Sequence, residues 1–589
     1  MKLKLAKTAG FCMGVRRAVE IVLDAANSQQ GPIFTYGPLI HNPQVLEILA
    51  EKGVTVLSDI PGVQPGTVVI RAHGIPPQAK QALVDAGHTI IDATCPRVIK
   101  VQTIIRKYAR KGCAAIIVGD RDHPEVVGLL GYAEGRGHVI SHPDDLDQLP
   151  AIERAIVVAQ TTQDARLFDN ISSTITERFP DCRVFNTICD STLKRQAEIR
   201  EMAENVDAVV VVGGLNSGNT RRMAQVVEQE GVRAFHVESE AELDCEAIEL
   251  LSSVGITAGA STPNWVIKNV YRTLEALPHQ ARRWRLAVFR TRRWLLLSNL
   301  YLAVGAGCIS YTCALLSGIR PAFASALMAT CYVLSMHILN NFIGREAVRY
   351  NDPDRANFYD YNRVILLTLA IASGAVGLFM AFIQGPVPFL ILCTISLLGL
   401  LYKVKIVPGR LKIGKKIQRI SDVPGSKTVL IALAWGIVAA ALPHLSVSLH
   451  ISATMLFVSL WASVMAFVRT AFFDILDMQG DRIVGQESLP IVLGKRKTFR
   501  LLEQLLVIFL VALIFAPMMH LTTTLAYGMI LSVIYMAGVL AAFERQWVVP
   551  GFRFEFLVET LFVFTAIVSG LWQLLTFPNG LQIFFPLDR

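Results

Sequence analysis

The chain begins without the sustained apolar run that a cleavable signal peptide needs. Its first ten residues, MKLKLAKTAG, carry early lysines, and no apolar core follows them. We therefore expect the N-terminal half to stay in the cytoplasm, where thiols are kept reduced. The sequence contains 10 cysteines, but disulfide bonds are not expected in that compartment.

Charged residues become scarce in the second half of the chain. Up to about Pro278 the sequence mixes charged and apolar segments like a soluble α/β protein, whereas long apolar stretches recur from Leu295 onward. A chain of 589 residues is also too long for one core. We predict a soluble domain (1–278), a basic juxtamembrane linker (279–294) and an all-α membrane domain (295–589).

Nine apolar stretches in the second half approach the ~20 residues that span a bilayer. Their approximate extents are 295–317, 321–341, 364–384, 386–402, 428–444, 451–473, 501–519, 522–543 and 555–576. The loops after the even-numbered stretches are long and charged, and the opposite loops are short. This asymmetry predicts a multi-pass protein of the bacterial inner membrane with the N-terminal domain in the cytoplasm.

The net charge of +9 does not indicate nucleic-acid binding, because the basic residues concentrate beside predicted membrane spans. Such placement follows the positive-inside rule and suits attraction to anionic lipid headgroups. The residues concerned are Arg282, Arg283, Arg285, Arg290, Arg292, Arg293, Lys403, Lys405, Arg410, Lys412, Lys415, Lys416, Arg419 and Lys427.

Continuous apolar runs of strand length recur in the first half. They are KLKLAK, PIFTYG, TVVIRAHG, HTIIDATCP, CAAIIVGD, AIVVAQTT, AVVVVGG and VGITAGAS. Runs without alternation are typical of strands covered on both faces, so we predict an α/β fold with parallel sheets.

Three cysteines follow apolar runs in similar settings: Cys12 in GFCMGV, Cys95 in DATCP and Cys189 in FNTICD. Their nearly even spacing suggests three structural modules that each deliver one thiolate to a common centre. Three thiolates would hold an iron–sulfur cube and leave one iron open for chemistry. Two alternatives remain at this point, namely buried free cysteines and a Zn²⁺ site of three cysteines and a histidine in a binding protein.

Polar side chains follow the predicted strands, where ligands bind in parallel sheets. They are His41, His73, His123, Glu125, Thr161, Thr162, Asn216, Ser217, Asn219 and Ser261. This set contains imidazoles, hydroxyls and amides but no arginine fork, that is, no guanidinium that binds through two N–H groups. Such a set suits a compact diphosphate held by hydrogen bonds. Glu125 could donate a proton if burial raises its pKa, although it also fits a helix-start carboxylate after Pro124.

These motifs resemble the IspH/LytB family of 4-hydroxy-3-methylbut-2-enyl diphosphate reductases. The same resemblance is carried by LNSGNT, GAST and TIC followed by KRQ. The resemblance covers about residues 1–278. It implies three pseudo-symmetric α/β modules around a central [4Fe-4S] cluster and an enzyme that makes isopentenyl and dimethylallyl diphosphates. A ferredoxin- or flavodoxin-type protein would donate the electrons.

The resemblance also implies a role for each site residue. Cys12, Cys95 and Cys189 would ligate the cluster, and Glu125 would supply a proton with Thr161 in its relay. The diphosphate would be held by His41, His73, His123, Ser217, Asn219 and Ser261. One departure is Gly218, which stands where the family commonly has a second serine.

An acidic cluster in the membrane half, formed by Asp474, Asp477 and Asp481, is predicted to lie in a cytoplasmic loop. Carboxylates at this spacing can share Mg²⁺, which in turn binds a diphosphate. The cluster and the segment SDVPGSKTVLIALAW resemble motifs of the UbiA superfamily of prenyltransferases. The resemblance covers about residues 290–589.

The first aspartate-rich motif of that superfamily is depleted here. Aligned on Asn340, the chain has Asn341, Gly344 and Val348 at its aspartate positions, although Asn340, Asn341 and Glu346 still offer oxygen ligands. We expect weak, altered or absent prenyl transfer. The alternative is a non-catalytic anchor or lipid-binding module.

Overall fold

A computed structural model of the chain describes residues 1–28, 31–57, 64–277, 283–402, 420–545 and 547–576. The chain forms two compact units, Met1–Gln280 and Ala281–Arg589. Many of the basic residues expected beside the membrane, namely Arg282 and those from Lys403 to Arg419, lie outside the described residues.

The first unit contains three four-stranded sheets, and every strand pairing is parallel. The strand orders are β3-β2-β4-β5, β7-β6-β8-β9 and β11-β10-β12-β1. The strands are β1 (Lys2–Leu5), β2 (Ile33–Tyr36), β3 (Val54–Leu57), β4 (Thr67–Ile70), β5 (Thr89–Asp92), β6 (Ala114–Val118), β7 (Gly137–Ile140), β8 (Ala155–Ala159), β9 (Cys182–Phe185), β10 (Ala208–Val212), β11 (Arg233–Val237) and β12 (Ser253–Ala258).

Helices connect these strands, as parallel pairing requires. They are α1 (Met13–Ser28), α2 (Pro43–Glu51), α3 (Pro77–Asp85), α4 (Pro96–Ala109), α5 (Pro124–Leu130), α6 (Ala165–Arg178), α7 (Asp190–Ala203), α8 (Gly218–Gln229), α9 (Cys245–Glu249) and α10 (Asn264–Ala276). The predicted α/β class is confirmed.

All eight predicted apolar runs form strands. The fully buried ones, β4, β6, β8 and β10, lie inside their sheets, where both faces are covered. The prediction missed β3, β7, β9 and β11, which are edge strands with at least one partly exposed residue. Each of these four strands contains polar residues or glycine, so their sequences do not form continuous apolar runs, whereas the edge strands β1 and β5 were predicted.

The second unit is helical throughout its described residues. Its helices are α11 (Arg283–Leu297), α12 (Leu300–Leu316), α13 (Phe323–Ile343), α14 (Arg345–Asn351), α15 (Pro353–Tyr361), α16 (Arg363–Gln384), α17 (Pro386–Leu401), α18 (Ser426–Gly436), α19 (Leu442–Val447), α20 (Ala453–Val484), α21 (Leu489–Leu493), α22 (Lys495–Phe515), α23 (Leu525–Glu544) and α24 (Phe552–Thr576). A π-helical turn, Ile437–Ala441, joins α18 to α19.

Seven helical segments among the described residues are long and apolar enough to cross a membrane. An eighth is a pair of helices, Ala287–Leu297 and Leu300–Leu316, bent by 73° at a break where Asn299 has a left-handed backbone (φ 59°). The remaining predicted stretch, 386–402, forms α17, which has only 16 residues and is shorter than a typical span. The prediction of about nine spans is therefore slightly high, and the chain is a multi-pass membrane protein.

Candidate active site

The three cysteines occupy equivalent positions in the three modules. Cys12 precedes α1, and Cys95 and Cys189 are the residues immediately before α4 and α7. Each therefore lies at a helix N-terminus, where free backbone N–H groups and the helix dipole favour a thiolate.

A repeated hydrogen bond fixes each cysteine against the neighbouring strand. The strand before each cysteine is the edge strand β1, β5 or β9, and it pairs with β12, β4 or β8. In every module the cysteine N–H donates to a carbonyl just beyond that neighbouring strand. The three bonds are Cys12 N to Ala260 O (3.1 Å), Cys95 N to Ala72 O (3.0 Å) and Cys189 N to Thr161 O (2.9 Å).

The thiols converge on one region. A Cβ atom on Gly14 would lie 2.5 Å from the Cys95 sulfur and 3.9 Å from the Cys12 sulfur, so only glycine fits there. Burial raises the pKa of Cys95, and the nearby sulfurs of Cys12 and Cys189 raise it further. The predicted trio is thus brought together from three separate modules.

His41, His73 and His123 form a second cluster. One nitrogen of each ring lies within 4.8 Å of the other two, and the ring centroids are 5.1 to 6.1 Å apart. Burial lowers the pKa of all three, that of His123 to about 4. The histidines are therefore neutral at pH 7, and each ring carries one N–H donor.

The tautomer of His123 suits an anion better than a metal ion. Its Nδ1 accepts a hydrogen bond from the Glu125 N–H (3.1 Å). The proton of the neutral ring therefore lies on Nε2, which makes that atom a donor without a free lone pair. Buried ring nitrogens of His41 (Nε2) and His73 (Nδ1) have no hydrogen-bond partner among the described residues.

The start of α8 and Ser261 lie beside these histidines. A Cβ on Gly218 would lie 3.3 Å from Cδ2 of His123, and the Ser261 hydroxyl donates to the His41 carbonyl (3.3 Å). Ser217 caps α8, accepting a hydrogen bond from the Thr220 N–H at 3.4 Å. A helix N-terminus that faces neutral imidazoles favours a phosphate group.

Three arginines that the sequence analysis did not select also belong to this site. Arg71 and Arg221 are close enough to lower the pKa of His41, and Arg71 also lowers that of His73. Arg222 donates to the Asp120 carboxylate (2.9 Å) and to the Thr162 carbonyl (3.0 Å). The predicted diphosphate-binding set contained no arginine, and these three lie close to its histidines. Arg71 lies two residues before His73 in the predicted strand run TVVIRAHG, so the sequence contained a signal for its place in the site.

Glu125 is almost completely buried, with 1% of its surface exposed. Thr161 holds its carboxyl group with the backbone N–H (2.7 Å) and the hydroxyl (2.8 Å). Burial raises the pKa of Glu125 from 4.5 to about 7, and the two Thr161 hydrogen bonds oppose part of that rise. A carboxyl group with this pKa can hold or release a proton near neutral pH.

In the membrane domain, Asp474, Asp477 and Asp481 lie within α20, which continues to Val484. The predicted loop is therefore wrong, because the helix extends beyond the apolar segment that signalled the span. The spacing of three and four residues places the three aspartates on one face of the helix.

Neighbouring residues contact two of these aspartates. Asp474 accepts a hydrogen bond from the Thr428 hydroxyl and lies 3.9 Å from the Lys427 ammonium. Asp481 accepts from the Asn351 side chain (2.8 Å). Asn351 ends α14, and the prediction did not select it as a site residue.

The depleted first motif lies at the end of α13 and the start of α14. The Asn341 amide donates to the Tyr359 hydroxyl (3.0 Å), whereas Asn340 and Glu346 are exposed. Gly344 connects the two helices, and Val348 lies in α14.

Comparison with known proteins identifies both halves. The family model described as LytB protein matches residues 3–275, and the model of the UbiA prenyltransferase family matches residues 302–561. The 4-hydroxy-3-methylbut-2-enyl diphosphate reductase of Trichlorobacter lovleyi is 44% identical over 278 residues, which cover 47% of this chain and 98% of that protein. The chain belongs to the 4-hydroxy-3-methylbut-2-enyl diphosphate reductase family.

Two further members are similar to the reductase domain. The reductase of Geobacter sulfurreducens is 42% identical over 275 residues, covering 47% of this chain and 97% of its own. A solved structure of (E)-4-hydroxy-3-methyl-but-2-enyl diphosphate reductase is 38% identical, covers 47% of this chain and 99% of its own, and has a TM-score of 0.38. The reductase domain is thus fused to a UbiA-type membrane domain.

The cysteines of the reductase domain fit an iron–sulfur cluster by their chemistry and setting. Three part-buried thiols converge from three helix N-termini, and the Cys12 sulfur accepts a backbone hydrogen bond from the Val15 N–H (3.4 Å). Backbone donors and helix dipoles stabilise the anionic sulfurs that such clusters require. Gly14 leaves the space that the Cys95 sulfur occupies.

Proposed function

We propose that the reductase domain converts 4-hydroxy-3-methylbut-2-enyl diphosphate to isopentenyl and dimethylallyl diphosphates. One observation carries this proposal. The buried Glu125 carboxyl is bound by Thr161, whose carbonyl in turn accepts the N–H of Cys189. A proton donor of raised pKa is thereby fixed beside a candidate redox centre, as a reductive loss of hydroxide requires.

The substrate diphosphate is bound by His41, His73, His123, Asn219, Ser217 and Ser261. The neutral imidazoles offer N–H donors, and the start of α8 offers backbone N–H groups. Arg71 and Arg221 add positive charge close to His41. Because these arginines depress the histidine pKa values, a bound diphosphate offsets their charge and raises those values.

Cys12, Cys95 and Cys189 would hold a [4Fe-4S] cluster, which would supply single electrons to the substrate. Glu125, with the Thr161 hydroxyl as relay, delivers the proton that lets the substrate hydroxyl leave as water. In total the substrate gains two electrons and two protons and loses one water. The second proton adds at either end of the allyl system and gives the two products, and the diphosphate itself is a local source of it.

The electron donor is a ferredoxin- or flavodoxin-type protein. Since the long, charged loops of the membrane domain fall on one side of its predicted spans, the reductase domain lies in the cytoplasm of a bacterial cell whose inner membrane holds the second domain.

An anaerobic assay of the detergent-purified full chain tests this function. With the substrate and reduced methyl viologen, we expect both five-carbon diphosphates as products. Protein with full iron content that forms neither product would overturn the proposal. Inductively coupled plasma analysis of the same sample distinguishes iron from zinc, which an alternative three-cysteine, one-histidine site would hold.

For the membrane domain we propose a second function, binding of a prenyl diphosphate through Mg²⁺ at Asp474, Asp477 and Asp481. The observation that favours it is the position of all three on one face of α20, with Asn351 and Lys427 facing the same cluster. Mg²⁺ needs only one or two carboxylates and keeps several waters. Transfer to an acceptor is weak, altered or absent because the first motif lacks aspartates at 344 and 348.

A binding measurement separates this function from a plain anchor. We expect a long-chain prenyl diphosphate to bind the full chain in micelles only when Mg²⁺ is present, and to lose affinity in Asp477→Ala. Unchanged binding after chelation with EDTA would contradict the proposal and favour the anchor.

A further inference from the structure

Arg195 is an arginine in the interior of the reductase domain. It lies in the second turn of α7, the helix that begins directly after Cys189, and belongs to the segment KRQ. Only 3% of its surface is exposed. Arginine is rarely buried to this extent without an opposite charge beside it, because a buried charge loses its hydration. Some group in the interior therefore has to neutralise Arg195.

Two backbone carbonyls fix the Arg195 guanidinium. It donates to the Gly10 carbonyl (2.6 Å) and to the Ala258 carbonyl (2.8 Å). Gly10 lies just before Cys12, and Ala258 ends β12, the strand that pairs with β1. The guanidinium thus lies between the segment that carries Cys189 and the segment that carries Cys12.

No carboxylate forms an ion pair with Arg195 within the described part of the chain. Both hydrogen bonds of its guanidinium end on neutral carbonyls, and its buried Nε atom has no hydrogen-bond partner there. The Glu198 carboxylate acts on Arg195 only from beyond ion-pair distance. Its oxygens instead accept from the Lys7 N–H (2.5 Å) and from the Thr8 N–H (2.9 Å) and hydroxyl (2.6 Å). Most of the guanidinium charge is therefore left for another anion to balance.

Two of the three converging sulfurs are in the position to supply that anion. Burial lowers the pKa of Arg195, and the Cys12 sulfur opposes the fall, followed by the Glu198 carboxylate and the Cys189 sulfur. A sulfur can balance a positive charge only as a thiolate, which is also the form that ligates iron. A buried guanidinium at this position therefore fits an anionic centre better than it fits three free thiols.

We propose that Arg195 is the counter-ion of the redox centre at Cys12, Cys95 and Cys189 and makes that centre easier to reduce. This inference rests on the proposed function, because it needs an iron–sulfur cluster at the thiols. Each electron that enters adds one negative charge, and a fixed positive charge in a buried environment stabilises the more negative form. Since Arg195 acts on the substrate only through this centre, it is a positioning residue.

The test measures the midpoint reduction potential of the anaerobically reconstituted full chain in detergent. Electron paramagnetic resonance reports the reduced fraction at a series of fixed potentials. Arg195→Gln removes the charge and keeps an amide donor. At the wild-type midpoint, where half of the centres are reduced, the ratio of reduced to oxidised centres should fall at least tenfold in this variant. For a one-electron couple that is a shift of about 59 mV to more negative potential.

Two matched variants separate charge from hydrogen bonding. Arg195→Lys keeps the positive charge but lacks the planar fork that binds both carbonyls, and its ratio at the wild-type midpoint should stay within twofold of wild type. Arg200→Gln removes a charge a further turn along α7, where Arg200 already pairs with Asp164 (3.1 Å) and Glu230 (3.3 Å). Its ratio should also stay within twofold.

An unchanged potential in iron-loaded Arg195→Gln would overturn the proposal. An equal shift in Arg195→Gln and Arg195→Lys would overturn it too, because the effect would then belong to the carbonyl hydrogen bonds.

The outcome stays decisive if Arg195→Gln does not retain iron. In that case Arg195→Lys with full iron content and the wild-type potential supports the proposal, whereas loss of iron from both variants assigns Arg195 to the fold alone and overturns it. Wild-type protein that holds zinc instead of iron refutes the proposed function. Iron-loaded wild-type protein whose potential does not respond to Arg195→Gln refutes this inference only.

Discussion

The backbone N–H of Cys189 donates to the Thr161 carbonyl over 2.9 Å. Thr161 uses its own N–H and hydroxyl to bind the buried Glu125. One residue thus fixes a proton-donating carboxyl and a candidate cluster ligand relative to each other. Because the Thr161 backbone makes one hydrogen bond to each partner, the sheet edge fixes the Glu125 carboxyl and the Cys189 backbone relative to each other.

We predict that replacing one cysteine ligand removes the cluster. Anaerobically reconstituted wild-type protein should hold about four irons per chain, as a cubane cluster requires. Cys95→Ser should lose most of that iron, because a serine oxygen is a harder and poorer ligand for this iron. Cys113→Ser, at a cysteine outside the trio, should keep it. Full iron loading with intact activity in Cys95→Ser would exclude the assignment.

A glycine substitution tests the convergence of the thiols without removing a ligand. In Gly14→Ala the new methyl group would lie 2.5 Å from the Cys95 sulfur, so either the sulfur or α1 has to move. We expect lower iron content and a changed visible absorption spectrum. Gly128→Ala is the control, since its Cβ would have its nearest neighbour at an ordinary 3.7 Å. Equal iron content in both variants would contradict the packing described here.

The raised pKa of Glu125 predicts a titration near neutral pH. Infrared difference spectra should show a protonated carboxyl band that disappears with a midpoint near 7, the value to which burial raises this pKa. The band should be absent in Glu125→Gln and retained in Glu177→Gln, at an exposed helix position. A midpoint near the ordinary 4.5 would show that Glu125 is solvated.

The same shift makes folding stability depend on pH. Because the folded-state pKa exceeds the unfolded value of 4.5, the protonated carboxyl favours the fold below about pH 4.5, and this contribution is lost as the pH rises through about 7. Glu125→Gln should therefore weaken the pH dependence of thermal unfolding between pH 5 and 8.

Sequence reasoning located His73, His123 and Glu125 because they follow continuous apolar runs, and such runs mark the inner strands of parallel sheets. The three cysteines follow edge strands instead, and their similar settings and nearly even spacing were the signal. Sequence reasoning missed Arg71, Arg221 and Arg222 because an arginine beside a strand end is common, and only the folded chain shows which ones approach the histidines. The edge strand β7 was missed because its partly exposed Gly137 and His138 interrupt the apolar pattern.

In the membrane half, hydropathy predicted the positions of the helices but not where they end. Asp474 and Asp481 were assigned to a loop because charged residues interrupt the apolar stretch, yet α20 continues through them with contacts from Thr428 and Asn351. The contact between Asn351 and Asp481 joins residues 130 positions apart. Sequence spacing carries no signal for such a pair.

The depleted first motif predicts a gain of function on repair. Gly344→Asp/Val348→Asp should raise Mg²⁺-dependent prenyl transfer to aromatic acceptors above the wild-type rate, since metal ions stabilise the charge on the leaving diphosphate. Asp477→Ala should lower transfer and diphosphate binding together. Robust wild-type transfer that the added aspartates do not improve would refute the weakened-motif explanation.

The most direct test of the reductase account is an anaerobic single-turnover measurement with cluster-loaded full chain. Removing a positioned proton donor costs about 10²–10⁴ in rate, so Glu125→Gln should lose turnover to that extent while it still binds the substrate. His41→Ala should instead weaken substrate binding more than it slows the chemical step, and Glu177→Gln should behave as wild type. Wild-type turnover in Glu125→Gln would contradict the role assigned to the buried carboxyl and the mechanism built on it.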